Sequence, residues 1–286
     1  MRQPLVLNDV AALRGQLARW RGARETVALV PTMGALHEGH VSLGRIGKSR
    51  AARTLFSIFV NPTQFAPNED FSAYPRTFEA DLEKLAAIGV DAVFAPTRDI
   101  MYPPGFATTI ALDGPAKAGL EDRFRPTHFS GVATIVAKLL IQAMPDLAIF
   151  GEKDFQQLAV IRQLAADLDL PVEIQGGPTV READGLAMSS RNIYLSPEER
   201  SIAPLLHRVL NEAASAIAAG EKAHDILAYG RQRIEQGGFM IDYLEWRDGV
   251  TLGEATRARA SRLLVAARLG RTRLIDNLAV PAGEGA

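Results

Sequence analysis

The stretch that most constrains this chain is Val27–His40, Val-Ala-Leu-Val-Pro-Thr-Met-Gly-Ala-Leu-His-Glu-Gly-His. Its first four residues form an uninterrupted apolar run, as expected of a strand covered on both faces. Val41–Ala52 continues as a helix. A strand, a glycine-containing turn and a helix start place unpaired backbone N–H groups and the positive end of the helix dipole at one spot, which is a ready anion site. His37 and His40 lie where the helix begins. Three apart, they share a face. They are placed to donate N–H bonds to a nucleoside triphosphate, bonds that strengthen as charge builds on leaving pyrophosphate. A helix N-terminus disfavours imidazolium, so neutral donors are expected. Gly39 would let the nucleotide approach the backbone. The alternatives are capped surface histidines or zinc, but the metalloprotease pattern needs histidines four apart.

The rest of the chain extends this start into an α/β pattern. Leu5–Trp20 has helical spacing at Leu7, Val10, Leu13 and Leu17, with Asn8 or Asp9 as cap. Arg53–Val60, Val90–Phe94, Leu147–Phe150 and Val172–Ile174 read as strands, and Thr108–Leu112 as a short β candidate. Phe78–Ile88, Ser130–Met144 and Leu158–Leu168 read as helices. This alternation predicts a doubly wound, Rossmann-like parallel sheet over residues 1–175. Ser196-Pro197-Glu198-Glu199 is a helix-start signature. Helices then run to about Gly237, and Met240–Arg247, Leu263–Leu269 and Thr272–Leu278 read as strands. That order predicts a smaller α+β domain over residues 176–286.

Composition narrows the function. The chain has 286 residues, enough for a substantial core, and a net charge of −1, which gives no support for nucleic-acid binding. It has no cysteine, hence no disulfide, thiolate metal site or cysteine nucleophile. No segment reads as a signal peptide or membrane span, so a cytoplasmic protein with no membrane partner is expected.

Four loops carry the remaining chemistry. Lys153 and Asp154 directly follow the strand Leu147–Phe150, at the same sheet edge as the histidines if the strands are parallel. Lys153 could hold an α- or γ-phosphate as a compact charge; the pair could equally be a surface ion pair. Gln64 lies in the polar loop Asn61–Asp70, and Gln157 follows the other strand. Amides there could hold a carboxylate without cancelling its charge, leaving it nucleophilic, or could simply face water. Met188-Ser189-Ser190-Arg191 offers two hydroxyls and a guanidinium to phosphate oxygens, and nearby Gly185 suits a movable flap. No P-loop, dinucleotide fingerprint or nucleophile elbow is present.

Six motifs in order closely resemble the pantoate–β-alanine ligase family. They are Pro31–His40, Phe59–Phe65, Tyr74–Thr77, Gly151–Gln157, Met188–Asn192 and Arg273–Asn277. A lone His-x-Gly-His would indicate only the wider nucleotidylyltransferase-like group, which includes class I aminoacyl-tRNA synthetases. The resemblance implies that pantoate's carboxylate attacks the α-phosphorus of ATP, and that β-alanine's amine then attacks the pantoyl adenylate, giving pantothenate and AMP. It implies ATP contacts at Met33, Gly34, Ala35, Leu36, His37, Glu38, Gly39 and His40, with His40 principal and His37 beside it. Gly151, Glu152, Lys153 and Asp154 would also meet the nucleotide, and Val180 would line the adenine side. Met188, Ser189, Ser190 and Arg191 would close over the triphosphate, and Gln64 and Gln157 would hold pantoate. It further implies Mg2+ on the triphosphate, Asp81 as an indirect metal ligand, and a homodimer through the N-terminal domain. The segment Glu121–Phe129 resembles a family segment but departs from it in Asp122 and Thr127, where glycine is usual, and Phe155 stands where tyrosine is common. Two alternatives stand: a nucleotidylyltransferase, which should carry a basic acceptor pocket, and a nucleotide-binding module without turnover.

Overall fold

The computed structural model describes residues 2–65 and 69–282. Residues 66–68 of the expected Asn61–Asp70 loop, and residue 1 and residues 283–286 at the ends of the two expected domains, lie outside the described residues.

The elements of the first half are β1 (Leu5–Leu7), α1 (Val10–Gly22), β2 (Val27–Thr32), α2 (Glu38–Arg50), β3 (Arg53–Ile58), α3 (Phe78–Ala87), β4 (Ala92–Phe94), α4 (Arg98–Met101), α5 (Glu121–Phe124), α6 (His128–Ala143), β5 (Leu147–Gly151), α7 (Phe155–Asp167) and β6 (Glu173–Gly177). The six strands form one parallel sheet in the order β1-β4-β3-β2-β5-β6. The expected doubly wound sheet is therefore present. The chain turns from one side of the sheet to the other at β2 and β5, which opens a crevice at their carboxyl ends.

The apolar runs have a simple physical cause. Along β2, Val27 and Leu29 enter one core while Ala28 and Val30 enter the core on the opposite face. In β5, Ala148 and Phe150 enter the first core, and Leu147 and Ile149 the second. Each fully buried large side chain contributes about 1.5–3 kcal/mol relative to exposure. A polar residue in either position would face a core without a partner.

Two expectations need correction. Leu5–Leu7 is not the start of α1 but an edge strand beside β4; Asp9 ends it and caps α1, accepting from Ala12 N–H at 2.8 Å. Thr108–Leu112 is not a strand. Side chains of α6 bind its backbone instead: Thr134 Oγ1 accepts from Ile110 N–H and Ser130 Oγ donates to Ile110 C=O. Gly44 and Gly47 within α2 each disfavour the helix by about 1 kcal/mol relative to alanine, but the packing requires them, since a Cβ would meet Ile88 and Phe56 at the first and Thr54 at the second.

After Gly177 the chain leaves the parallel sheet. Helices α8 (Pro197–Ile202), α9 (Leu205–Ala218) and α10 (Ala223–Gln236) precede an antiparallel sheet of β7 (Met240–Asp248), β8 (Ser261–Leu269) and β9 (Thr272–Val280). Ser196 and Glu199 form the expected reciprocal cap of α8. One face of the small sheet, with Leu263, Val265 and Ala267, packs with residues of α9 and α10. The other, with Tyr243, Leu264 and Ala266, joins the first core of the parallel half. Among the described residues no helix is long and apolar enough to cross a membrane.

Candidate active site

The crevice at β2 and β5 holds a cavity of about 210 Å³, walled by the β2–α2 turn, the Gln64 loop, α6, the residues after β5, and the Val180 and Met188–Arg191 segments. A neighbouring cavity of about 380 Å³ shares Lys153, Asp154, Ser189 and Arg191 with it but contains neither His37 nor His40. The smaller cavity is the one that brings both histidines together with Gln64, Gln157 and Lys153.

Helix α2 begins one residue after His37, earlier than expected, because His37 itself is the cap. Its Nδ1 accepts from Gly39 N–H at 3.1 Å, and His40 Nδ1 accepts from His37 N–H at 3.3 Å. A backbone N–H can only donate, so both rings are fixed with hydrogen on Nε2. The ring centroids are 4.1 Å apart. Burial, followed by the Lys153 charge, pushes the His37 pKa to about 4. Burial, with His37 and Lys153, pushes His40 to about 3. At neutral pH the pair consists of two uncharged N–H donors. Gly39 has a further role beside the one expected: a Cβ there would stand 2.8 Å from the His37 ring, so the glycine makes room for the cap.

Gln64 is held with equal definition. Asn61, 1% exposed, accepts from Thr63 N–H at 3.4 Å and donates from Nδ2 to Gly131 C=O at 3.3 Å. These fixed-polarity partners set its amide, and its other Nδ2 hydrogen goes to Gln64 Oε1 at 3.0 Å. Gln64 Nε2 is thereby left as the donor end. Tyr102 OH donates to Asn61 Oδ1 at 2.8 Å. The Gln64 carbonyl accepts from Arg125 at 3.1 Å and lies 3.0 Å from His128 Nδ1. Burial and the Arg125 charge lower the His128 pKa to about 4, so that ring too is neutral.

Above the cavity, Ser189 caps a short turn over Ser190–Tyr194. Arg191 makes a two-point ion pair with Asp70, each bond 2.9 Å, and lies over the Tyr74 ring. Tyr74 OH and Ser190 Oγ are 3.2 Å apart, and Tyr194 OH donates to Ala73 C=O. The segment lies across the cavity and is fastened to the first half of the chain.

Of the residues expected to bind, Met33, His37, Gly39 and His40 line the cavity, as do Gly151, Lys153 and Asp154. Gln64, Gln157, Val180 and Met188–Arg191 complete it. Gly34, Ala35, Leu36, Glu38, Glu152 and Asp81 are not among its lining. Glu38 pairs with Arg45, and Glu152 with Arg262. Asp81 is 0% exposed; its Oδ1 accepts from Leu36 N–H at 2.8 Å, and Lys84 donates to Leu36 C=O. It supports the β2–α2 turn from beneath. The Asp122 departure has an explanation: its carboxylate accepts from Gly119 N–H, Leu120 N–H and Gln156 Nε2. Thr127 makes no capping bond.

Sequence reasoning passed over Asp70, Tyr74, Asn61 and Tyr102, and the apolar wall of Phe59, Val132, Ile135 and Val136. Tyr74 and Asn61 stood inside the motifs but carried no separable signal.

Known proteins share this fold and much of this sequence. Residues 5–279 match the pantoate-beta-alanine ligase family profile. The chain belongs to the pantoate-beta-alanine ligase family. It is 57% identical to a pantothenate synthetase of Rhodopseudomonas palustris (strain HaA2) across 98% of this chain and 99% of that one. It is 58% identical, with the same coverage, to pantothenate synthetase 2 of Bradyrhizobium diazoefficiens. The solved pantothenate synthetase of Thermus thermophilus superposes with a TM-score of 0.90 at 44% identity, covering 97% of this chain and 99% of that one. The pantoate-beta-alanine ligase of Francisella tularensis, solved with beta-gamma ATP and beta-alanine, superposes with a TM-score of 0.81 at 32% identity, covering 96% and 97%. Membership at this closeness makes the chain an enzyme, a ligase of pantothenate biosynthesis.

Proposed function

We propose that this pantoate-beta-alanine ligase joins pantoate to β-alanine at the β2–β5 crevice, through a pantoyl adenylate. The observation that carries the reading is that two neutral Nε2–H donors, an oriented Gln64 amide and Lys153 line one cavity beneath a segment bearing Ser189, Ser190 and Arg191.

In the first step the pantoate carboxylate, held by Gln64 Nε2 and Gln157, attacks the α-phosphorus. The α-phosphorus–oxygen bond to pyrophosphate breaks in line. No proton has to move, because the attacking oxygen is already anionic and the leaving group carries its own charge. His37 and His40 therefore act as hydrogen-bond donors to charge that grows in the transition state, and Lys153, Ser189, Ser190 and Arg191 hold the phosphates. The geminal methyl groups of pantoate suit the wall of Phe59, Val132 and Val136. In the second step the β-alanine amine attacks the acyl carbon, AMP leaves, and the amine gives up a proton. The cover limits hydrolysis of the acyl adenylate.

Magnesium enters as part of MgATP. Such an ion keeps several waters and rests mainly on phosphates. Among the described residues no group of three His, Cys, Asp or Glu is placed to hold it. Asp81, buried beneath the turn, is not positioned as a direct ligand. The reading also takes the enzyme to be cytoplasmic and homodimeric. The test is turnover: protein with MgATP, pantoate and β-alanine should release AMP and pyrophosphate. Pyrophosphate release independent of pantoate would exclude the mechanism.

A further inference from the structure

The motif Arg273–Asn277 has no place in the chemistry above, yet Arg273 and Asp276 bind residues outside the cavity lining and Asn277 binds one of the walls of the site. It lies on β9, in the small sheet. Arg273 grips Glu121 at 2.7 and 2.8 Å. Asp276 takes Arg181 at 2.7 and 2.9 Å, and Arg181 pairs in an isolated bridge with Ala187, immediately before the covering segment. Asn277 makes the most direct connection. Its Nδ2 donates one hydrogen to the Glu152 carbonyl at 2.9 Å and the other to the Lys153 carbonyl at 2.8 Å.

The Asn277 amide cannot be turned around. Both carbonyls can only accept, and Oδ1 accepts from the Arg262 guanidinium, which can only donate. Asn277 is 3% exposed, so these bonds are shielded from bulk solvent. Arg262 in turn pairs with Glu152 Oε2 and lies 3.7 Å from the centre of the Phe155 ring. The ring face is what that contact uses, so phenylalanine serves where a tyrosine is common. The turn after β5 is thus fixed from outside the parallel sheet: two consecutive carbonyls are clamped, and Lys153 projects from the clamped backbone into the cavity.

We propose that Asn277 is a positioning residue for the first chemical step, aiming Lys153 at the triphosphate by holding the carbonyls of Glu152 and Lys153. This rests on Lys153 gripping the phosphates. Asn277 lines neither cavity that contains Ser189 and Arg191; it borders a small one of about 30 Å³ together with Lys153 and Gln157, and it acts on the triphosphate through the turn.

The test is a double-mutant cycle on pantoate-dependent pyrophosphate release in the full-length enzyme. Asn277→Ala should lower kcat/KM for MgATP by about 10- to 100-fold, the scale of a misplacement of about 1 Å. KM for pantoate should stay within about twofold. Asn277→Ser, which keeps one donor, should fall between the two and carries the same cycle if the alanine variant does not fold. In a Lys153→Ala background the effect of Asn277→Ala should shrink to within about twofold, because the group it aims is gone. Equal losses in both backgrounds, or a pantoate KM that rises as much as that for ATP, would overturn the positioning role. Full activity of Lys153→Ala alone would instead remove Lys153 from the mechanism, a separate failure.

Discussion

Gly131→Ala sets two physical effects against each other. Gly131 lies in the first turns of α6, where alanine is favoured over glycine by about 1 kcal/mol. Helix propensity alone therefore predicts a more stable protein. The structure predicts otherwise. A Cβ at this position would stand 2.2 Å from the Thr63 carbonyl oxygen, 2.6 Å from its carbon and 3.1 Å from Gln64 N. Relief to ordinary contact needs roughly 1 Å of movement in a close-packed region. The obstacle is backbone, so a rotamer change cannot supply it. Overpacking of this kind costs about 1–3 kcal/mol. After the propensity gain, about 0–2 kcal/mol of destabilisation remains, a Tm fall of up to about 4 °C. The larger effect falls on catalysis. The 3.3 Å bond from Asn61 to Gly131 C=O and the 3.0 Å bond orienting Gln64 belong to the displaced loop. A misplacement of about 1 Å at a substrate-holding group costs about 100-fold. Thermal unfolding and pantoate-dependent kinetics at saturating MgATP are the measurements. A variant with raised Tm and kcat/KM for pantoate within threefold of the parent would refute the reasoning.

Four further outcomes follow from the site. His40→Ala should slow pyrophosphate release by about 10²–10³-fold, the usual effect of losing one transition-state donor, with the far-UV circular dichroism unchanged; full activity would exclude His40. Because His37 and His40 titrate at about 4 and about 3, the first step should be flat between about pH 5.5 and 8, and a limb at pH 6–7 would contradict neutral donors. Stability shows these same shifts: folded pKa values below the usual 6.5 for His37, His40 and His128 mean that the unfolded chain binds the extra protons, so urea stability should fall as pH drops from 6.5 toward 4. Glu121 adds to this loss below its usual 4.5, since the Arg273 pairing holds its folded pKa at about 2. Asp81→Ala should lower stability by about 1–3 kcal/mol by leaving Leu36 N–H unpaired, without moving the Mg2+ concentration for half-maximal rate; a large shift in that concentration would restore Asp81 to the metal.

What could be read from residue order follows a physical boundary. Strands covered on both faces, such as Val27–Val30 and Leu147–Phe150, are apolar throughout and stand out. Leu5–Leu7 is three residues long and merges with the helical spacing after it, so its strand character comes only from its neighbour β4. Thr108–Leu112 has β-favouring residues, but the decisive partners, Ser130 and Thr134, lie about twenty residues away. Histidine is not among the usual cap residues, which hid the true start of α2. At the site, groups at strand ends were legible because parallel strands bring their carboxyl ends together. The supports were not: Asn277 sits more than a hundred residues from the carbonyls it holds, and nothing local distinguishes it from a surface asparagine.

The antiparallel sheet has a consequence for synthesis of the chain. A ribosome delivers the parallel sheet and its histidines long before β9, and domains generally fold as they emerge. Until that last strand arrives, the turn bearing Lys153 lacks its clamp and Arg181 lacks Asp276. A half-made or truncated chain would therefore present a nucleotide pocket with no competent cover or aimed lysine. On the role proposed for Asn277, the order of elements would leave the first step slowed until β9 is in place, so a nascent chain would form the reactive mixed anhydride more slowly than the finished molecule.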